Sequence, residues 1–187
     1  MSKVLTEDRT FQAVKKESTL GYIFSAPIVA LIAIRILTSW SWINGAFFGG
    51  DKKISSNFLS GQFLIERING PHGFAASSLY PWISHFVANS VAGAPGFWAW
   101  VIFLGEAVAG LSFLLGLFTR LGGIAAVLSA LMDIMVAGGN GADTIGQNYL
   151  LLVLGLVFII VGAGRWFGLD GWLQAKFPES KWLRVLG

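Results

Sequence analysis

Four long apolar segments dominate the sequence and give its first structural prediction. They cover about residues 21–43, 97–118, 121–137 and 147–164. A helix needs about 20 apolar residues to cross the hydrocarbon core of a bilayer, which is close to the length of these segments. The second and third segments are separated by Thr119 and Arg120, which predicts a tight antiparallel hairpin. We predict an all-α integral membrane protein built as a bundle of four transmembrane helices.

The stretches between and beyond the apolar segments predict how the chain is divided and oriented. We predict an N-terminal segment over residues 1–20, a membrane domain over 21–164 with an outer loop at about 44–96, and an interfacial tail over 165–187. Lys and Arg favour the cytoplasmic side of a membrane. Nine of them lie in the N-terminal segment, the 119–120 turn and the tail, against three in the outer loop. This asymmetry predicts a multi-pass plasma-membrane protein with both termini in the cytoplasm.

The outer loop carries signals of its own short helices. Ser55 precedes an apolar stretch as a helix cap would, and Pro81 suits the first turn of a second helix. Residues 69–73 between them read Asn-Gly-Pro-His-Gly, a strong turn signal. We therefore predict a lid of two short amphipathic helices over the outer mouth of the bundle. The tail, rich in Trp, Phe and Lys, predicts an interfacial helix on the cytoplasmic face.

Composition supports the membrane class and narrows the chemistry. The chain is 55% hydrophobic and 12% charged, about half the charged fraction of a soluble domain. It has no cysteine, which excludes disulfides, thiolate metal sites and covalent haem attachment. Its two histidines, His72 and His85, lie outside the apolar segments, which argues against a haem held by two histidines within the membrane. We expect no metal or haem in this chain.

Three ionisable residues lie within the apolar segments: Arg35, Glu106 and Asp133. Each costs about 2.5–3.5 kcal/mol near the centre of a bilayer, so each needs a partner or a function. The helical rise of about 1.5 Å per residue predicts that all three lie in the outer half of the membrane. Asn148 adds an amide at the outer start of the fourth segment. These residues are our candidate site, with Arg35, Glu106 and Asp133 as candidate catalytic residues.

Two explanations of this cluster stay open. In the first, an Arg35–Glu106 ion pair joins two helices, and Asp133 remains hydrated near the surface. In the second, the outer loop covers a polar pocket that binds a ligand or passes protons. One cation cannot neutralise two acids in an apolar site, so one carboxyl group would exchange a proton.

The cations of the outer loop are open to two interpretations as well. Arg67, His72 and His85 would attract an anionic substrate, together with Asn148. His85 could equally be a packed residue, and Lys52 and Lys53 are best explained as anchors at the membrane interface.

Several short motifs resemble one known family. They are Arg35 between two isoleucines, Gly105-Glu106, Gly-Leu-Phe-Thr-Arg at 116–120, Gln-Asn-Tyr at 147–149 and Gly-Ala-Gly-Arg-Trp-Phe-Gly-Leu-Asp at 162–170. Together they resemble the DoxD/DoxX family over about residues 20–174. The long outer loop and the tail are most similar to DoxD, which we take as the large subunit of the archaeal thiosulfate:quinone oxidoreductase.

The resemblance implies an activity that composition cannot indicate. It implies oxidation of thiosulfate to tetrathionate on the outer face, with electrons passed to a membrane quinone of the caldariella type. It also implies a smaller DoxA-type subunit as partner and an association with a terminal quinol oxidase. The alternative is a non-catalytic structural or assembly subunit of such an oxidase. A small transporter is a weaker reading, because the segments show no inverted repeat.

Overall fold

The computed structural model describes residues 26–50, 52–69 and 73–187, and over these ranges every regular element is a helix. Four helices are long and apolar enough to cross a membrane: Pro27–Phe48, Pro95–Leu115, Thr119–Asn140 and Ala142–Val161. The predicted all-α membrane bundle is thereby confirmed. The predicted N-terminal segment, residues 1–20, lies outside the described residues.

Ten α-helices are numbered here in chain order. They are α1 (Ala26–Ile43), α2 (Ser56–Leu59), α3 (Gln62–Ile68), α4 (Phe74–Ser77), α5 (Pro81–Phe86), α6 (Pro95–Leu115), α7 (Thr119–Ala137), α8 (Ala142–Val161), α9 (Leu169–Lys176) and α10 (Lys181–Leu186). Two π-helical stretches, Asn44–Phe48 and Val87–Val91, continue α1 and α5. The spanning helices are α1 with its extension, α6, α7 and α8.

Two ends of the bundle differ in construction. The turn end contains residues 116–119, between α6 and α7, and residues 162–170, which follow α8. Gly116 and Gly162 end α6 and α8 in the left-handed conformation, both with φ of 61°, which glycine adopts without steric cost. The loop end contains residues 44–50, 52–69 and 73–94 and the short α7–α8 connection at 138–141.

The helices pack as antiparallel neighbours in chain order. Gly45 of the α1 extension approaches Glu106, and Gly116 at the end of α6 approaches Arg35. The closest pair is α7 and α8, where a Cβ on Gly123 would lie 2.8 Å from the Gly155 carbonyl oxygen. Small residues therefore let these two backbones touch. Phe113 and Phe158 fill the centre, with ring centroids 4.7 Å apart.

Helix ends differ from the predicted ones at the loop end. The first apolar segment was predicted to end at Ile43, but the helical path continues to Phe48 as a π-helix. The fourth helix begins at Ala142, earlier than the predicted residue 147. Asp143 lies in its first turn, where the free amide groups favour a carboxylate.

The described part of the outer loop contains four short helices, α2 to α5, which we call the loop-end cap; two had been predicted. Ser55 caps α2 by accepting a hydrogen bond from the Phe58 amide, and Pro81 begins α5, as predicted. Buried Phe58, Leu64 and Ile83 form a core with the start of α6. The Leu79 amide donates to the Met135 carbonyl and Ser77 Oγ to that of Val136. These bonds satisfy the last turn of α7 and fix the cap to the bundle.

Exposed apolar side chains cover the outside of the spans. Leu37, Leu104, Leu128 and Ile160 are each at least half exposed, one on each spanning helix. In a lipid bilayer such side chains face hydrocarbon, so their exposure agrees with the membrane assignment. The tail forms two short helices, α9 and α10, whose Trp172 and Trp182 are exposed.

Candidate functional site

An ion pair between Lys53 and Glu106 lies in the loop-end half of the bundle. Lys53 Nζ is 2.8 Å from Glu106 Oε2, and the Glu106 side chain is 7% exposed. Glu106 follows the start of α6 by three turns, roughly 16 Å along the helix axis. A carboxylate at that depth needs a cation, and Lys53 supplies it.

The chain path brings Lys53 to this position. After the π-helical end of α1, residues 52–54 return alongside it, with the Lys53 amide bonded to the Gly45 carbonyl and the Ile54 amide to that of Ala46. A Cβ on Gly45 would lie 2.9 Å from Glu106 Oε2 and 3.4 Å from Lys53 Nζ. Gly45 therefore lets the ion pair pack directly against the helix backbone. Irregular helical turns of this kind are frequent at functional sites.

Asp133 of α7 completes what we call the acidic cluster: Lys53, Glu106 and Asp133. Asp133 is half-buried and interacts electrostatically with both other members. One turn before it, Ser129 Oγ is 3.0 Å from the position of a Cβ on Gly105, the residue next to Glu106. With all three groups ionised, the cluster carries a formal charge of −1. A single proton would neutralise it.

Asn148 is buried on α8, and its Nδ2 donates 3.0 Å to the Thr144 carbonyl oxygen. It lies about 9 Å along α8 from Ala142, and Asp133 about 6 Å from the end of α7 at Ala137. Because a short connection joins these two helices, Asn148 and Asp133 lie at similar depths on neighbouring helices. The structure thus keeps Asn148 as a candidate in the loop-end half.

Arg35 does not join this cluster, which corrects the predicted meeting of Arg35, Glu106 and Asp133. Its guanidinium group donates to the carbonyl oxygens of Ala163 (2.8 Å), Trp166 (3.2 Å) and Phe167 (3.0 Å) at the turn end. Gly116, which Arg35 approaches, is ten residues from Glu106, roughly 15 Å along α6. Of the two explanations left open, the one with an Arg35–Glu106 ion pair therefore does not hold, and Lys53 takes the place of Arg35 beside Glu106.

Asp170 is the charge that accompanies Arg35, and the sequence analysis did not single it out. Its buried carboxylate accepts hydrogen bonds from the Phe118 amide (2.6 Å), the Thr119 amide (3.0 Å) and Thr119 Oγ1 (3.0 Å). It thereby caps the start of α7 and interacts electrostatically with Arg35. The motifs at 116–120 and 162–170 thus form one network that joins all four spanning helices at the turn end.

Two of the outer-loop candidates, Arg67 and His85, lie at the surface of the loop-end cap. Arg67 is exposed, and its guanidinium carbon lies 5.1 Å from the centre of the Phe63 ring. His85 is exposed near the end of α5, whose buried positions are Ile83 and the following Val87, so the packed alternative for His85 does not hold. His72 lies outside the described residues. The sequence prediction explained Lys53 as an interface anchor and missed its pairing with Glu106. The need of Glu106 for a nearby cation was the signal that could have identified it.

No group of three His, Cys, Asp or Glu side chains with the geometry of a metal site occurs within residues 26–50, 52–69 and 73–187.

In the comparisons with known proteins, residues 30–187 match the family described as "TQO small subunit DoxD". That description gives DoxD as the small subunit, so the size designation taken from the resemblance is not retained. No curated protein and no solved structure matches the chain.

The match covers most of the chain, including the first spanning helix from residue 30 onward, the other three spanning helices and both ends of the bundle. It also includes the turn-end network and the acidic cluster. The chain belongs to the DoxD family and is a membrane subunit related to the thiosulfate:quinone oxidoreductases.

Proposed function

We propose that this chain is the membrane subunit of an enzyme that oxidises thiosulfate to tetrathionate and reduces a membrane quinone of the caldariella type. Two thiosulfates give up two electrons as their sulfurs join in tetrathionate, and the quinone takes up those electrons with two protons to give the quinol. The observation that carries the proposal is the acidic cluster, which combines two carboxyl groups with one lysine inside the bundle.

The acidic cluster suits the proton side of this reaction. Glu106 and Asp133 share a single cation, so the cluster gains a proton without building up positive charge. Proton donors of this kind contribute most when they are within hydrogen-bond reach of the oxygen that receives the proton. We assign Glu106 and Asp133 to proton exchange with the quinone oxygens, and Asn148 to hydrogen bonding beside them. Lys53 holds Glu106 in place.

Thiosulfate fits a different part of the molecule. A dianion is repelled by a cluster whose formal charge is −1, so it binds outside the bundle interior. The surface of the loop-end cap carries Arg67 and His85, and His72 lies between α3 and α4 in the sequence. We propose that these cations attract thiosulfate on the outer face of an archaeal plasma membrane, where a DoxA-type subunit completes the site. A terminal quinol oxidase would reoxidise the quinol.

Replacing Glu106 by Gln tests this proposal, because it removes the exchangeable proton and keeps the shape of the side chain. We expect membranes that contain the E106Q variant and the partner subunit to lose thiosulfate-dependent reduction of a quinone analogue by about 100-fold or more. Reduction of ferricyanide with thiosulfate should remain, because ferricyanide takes an electron and no proton. Both rates are measured on the same membrane preparation.

Glu66→Gln is the matched control, since Glu66 is an exposed glutamate of the loop-end cap. It should retain both activities. Full quinone reduction by E106Q would remove the assigned role. Loss of both activities in a correctly inserted E106Q protein would contradict the separation of the two half-reactions. If the wild-type chain shows neither activity and copurifies with a quinol oxidase, the structural-subunit alternative holds instead.

A further inference from the structure

Two arginines lie side by side at the turn end, where the acidic cluster does not reach. A Cβ on Gly162 would lie 3.4 Å from Arg120 Nε and 3.2 Å from Arg165 Nε. Both guanidinium groups donate to the Arg184 carbonyl oxygen, at 3.4 Å from Arg120 and 3.1 Å from Arg165. Arg165 also donates to the Gly187 backbone oxygen at 3.3 Å. We call Arg120 and Arg165 the arginine pair.

Acidic side chains do not balance the arginine pair within the described part of the chain. The Asp170 carboxylate is buried and committed to Phe118 and Thr119, and the remaining acid of the tail, Glu179, forms no ion pair with either arginine. The buried Nε of Arg120 has no acceptor. Lys176, Lys181 and Arg184 add three exposed cations nearby in the tail. The turn end therefore has a strong excess of positive charge.

Exposed aromatic side chains accompany this charge. Trp172 is 58% exposed and Trp182 is 75% exposed. Lys176 Nζ lies 5.0 Å from the centre of the Trp172 ring, so the aromatic ring and the cation share one surface. Tryptophan is enriched at the level of lipid headgroups, and basic residues there attract anionic lipids. The surface of α9 and α10 has both properties.

We propose that the arginine pair, with the cations of α9 and α10, binds the phosphate headgroup of an anionic phospholipid at the turn end. Guanidinium groups bind phosphate oxygens through paired, charge-assisted hydrogen bonds. A phosphate bound beside the two arginines would offset their mutual repulsion. Trp172 and Trp182 would lie among neighbouring headgroups and the first acyl carbons. The proposal is independent of the redox reaction.

Lipid titration of the detergent-purified full chain tests this proposal. Native mass spectrometry measures the apparent Kd for phosphatidylglycerol and for phosphatidylcholine at low and high salt. We expect the wild type to bind phosphatidylglycerol about tenfold more tightly or better, with less preference at high salt. The double variant Arg120→Gln/Arg165→Gln should weaken phosphatidylglycerol binding by about fivefold per charge removed. Equal affinity of the wild type for the two lipids would overturn the proposal.

Three further variants distinguish the effect of charge from those of guanidinium geometry and of folding. Arg120→Lys/Arg165→Lys keeps the charge but loses the paired geometry, so it should fall between the wild type and the Gln variant. Lys176→Gln/Lys181→Gln removes two cations whose side chains make no hydrogen bond to the main chain of the described residues. It should also lower the preference for phosphatidylglycerol, so it tests the proposal even if Arg120→Gln/Arg165→Gln does not fold. Lys52→Gln, an exposed site at the loop end, should retain the preference; an equal loss there would contradict the assigned location. If inorganic phosphate at millimolar concentration competes fully with phosphatidylglycerol, the arginine pair binds a soluble anion and the lipid proposal is overturned.

Discussion

Arg35 is a buried cation whose surroundings are made of backbone oxygens. It is 2% exposed and donates to three carbonyl groups that follow α8, while Asp170 interacts with it electrostatically. Asp170 in turn binds the first amides of α7. A charge in this setting costs energy to bury, and the network offsets the cost only while both charges are present. These contacts support a structural role for Arg35, which we propose in place of the predicted catalytic one.

Arg35→Gln should destabilise the bundle because it leaves the Asp170 carboxylate buried without its cation. We expect a loss of about 3–5 kcal/mol in the free energy of unfolding, measured by denaturant titration in detergent. The double variant Arg35→Gln/Asp170→Asn should lose less than the sum of the two single variants, because it removes both charges. Strict additivity would contradict the coupling. Lys52→Gln, at an exposed cation, should change stability little.

Gly45 is the residue on which the geometry of the acidic cluster depends most directly. A methyl group at this position would lie 2.9 Å from Glu106 Oε2 and displace it. We expect Gly45→Ala to lower quinone reduction by about ten- to 100-fold, because small misplacements of a reacting group are costly. Ferricyanide reduction should remain.

Gly50→Ala is the matched control for Gly45→Ala. It lies in the same loop, and nothing is found within 4 Å of its added Cβ, so it should keep both activities. Wild-type quinone reduction in Gly45→Ala would show that the ion pair tolerates displacement and is not positioned by this glycine.

The error over Arg35 has a simple geometric origin. Its depth was counted from an apolar segment predicted to end at Ile43, whereas the helical path continues to Phe48 through Asn44 and Gly45. Those five residues move Arg35 roughly 7 Å farther from the loop end. Polarity could identify Glu106 and Asp133 as unusual, but it could not tell which cation they meet. That choice depends on the chain reversal after Phe48, which places Lys53 beside the helix end.

Helix α7 and helix α8 form the closest contact between elements. A Cβ on Gly155 would lie 3.1 Å from the Gly123 carbonyl oxygen, and one on Gly123 would lie 2.8 Å from that of Gly155. Gly155→Leu should therefore separate the helices and cost about 1–3 kcal/mol or more, measured as a lower midpoint of thermal unfolding in detergent. Gly146→Leu is the control on the same helix, since a Cβ there meets nothing within 4 Å. Equal effects of the two variants would contradict a specific backbone contact.

Sequence patterns located the long elements far better than the short ones. The four spans follow from uninterrupted apolar runs, which the bilayer requires whatever the neighbours are. In the loop-end cap, α2 and α4 have four residues each, too few to show a helical period. Their formation depends on packing against Phe103 of α6 and on the carbonyls at the end of α7. Ser55 and Pro81 were recognisable because capping and proline effects are local.

At the scale of the described molecule, the two ends of the bundle carry different groups of charged residues. The turn end holds the structural Arg35–Asp170 network and the basic tail, and the loop end holds the acidic cluster under the cap. The Lys and Arg distribution predicts that the turn end faces the cytoplasm, which places the loop-end cap on the outer face. The proposed reaction depends on this orientation, because thiosulfate must reach the cap.

Single cysteines can test the orientation directly, since the chain has none of its own. Ser56→Cys labels the loop-end cap and Glu179→Cys labels the tail, and both positions are exposed. We expect a membrane-impermeant maleimide added to intact cells to modify Ser56→Cys, and to modify Glu179→Cys only after the membrane is opened. The reverse pattern would place the acidic cluster nearer the cytoplasm. Protons for the quinone would then be drawn from the cytoplasmic side, and the cap could not receive external thiosulfate.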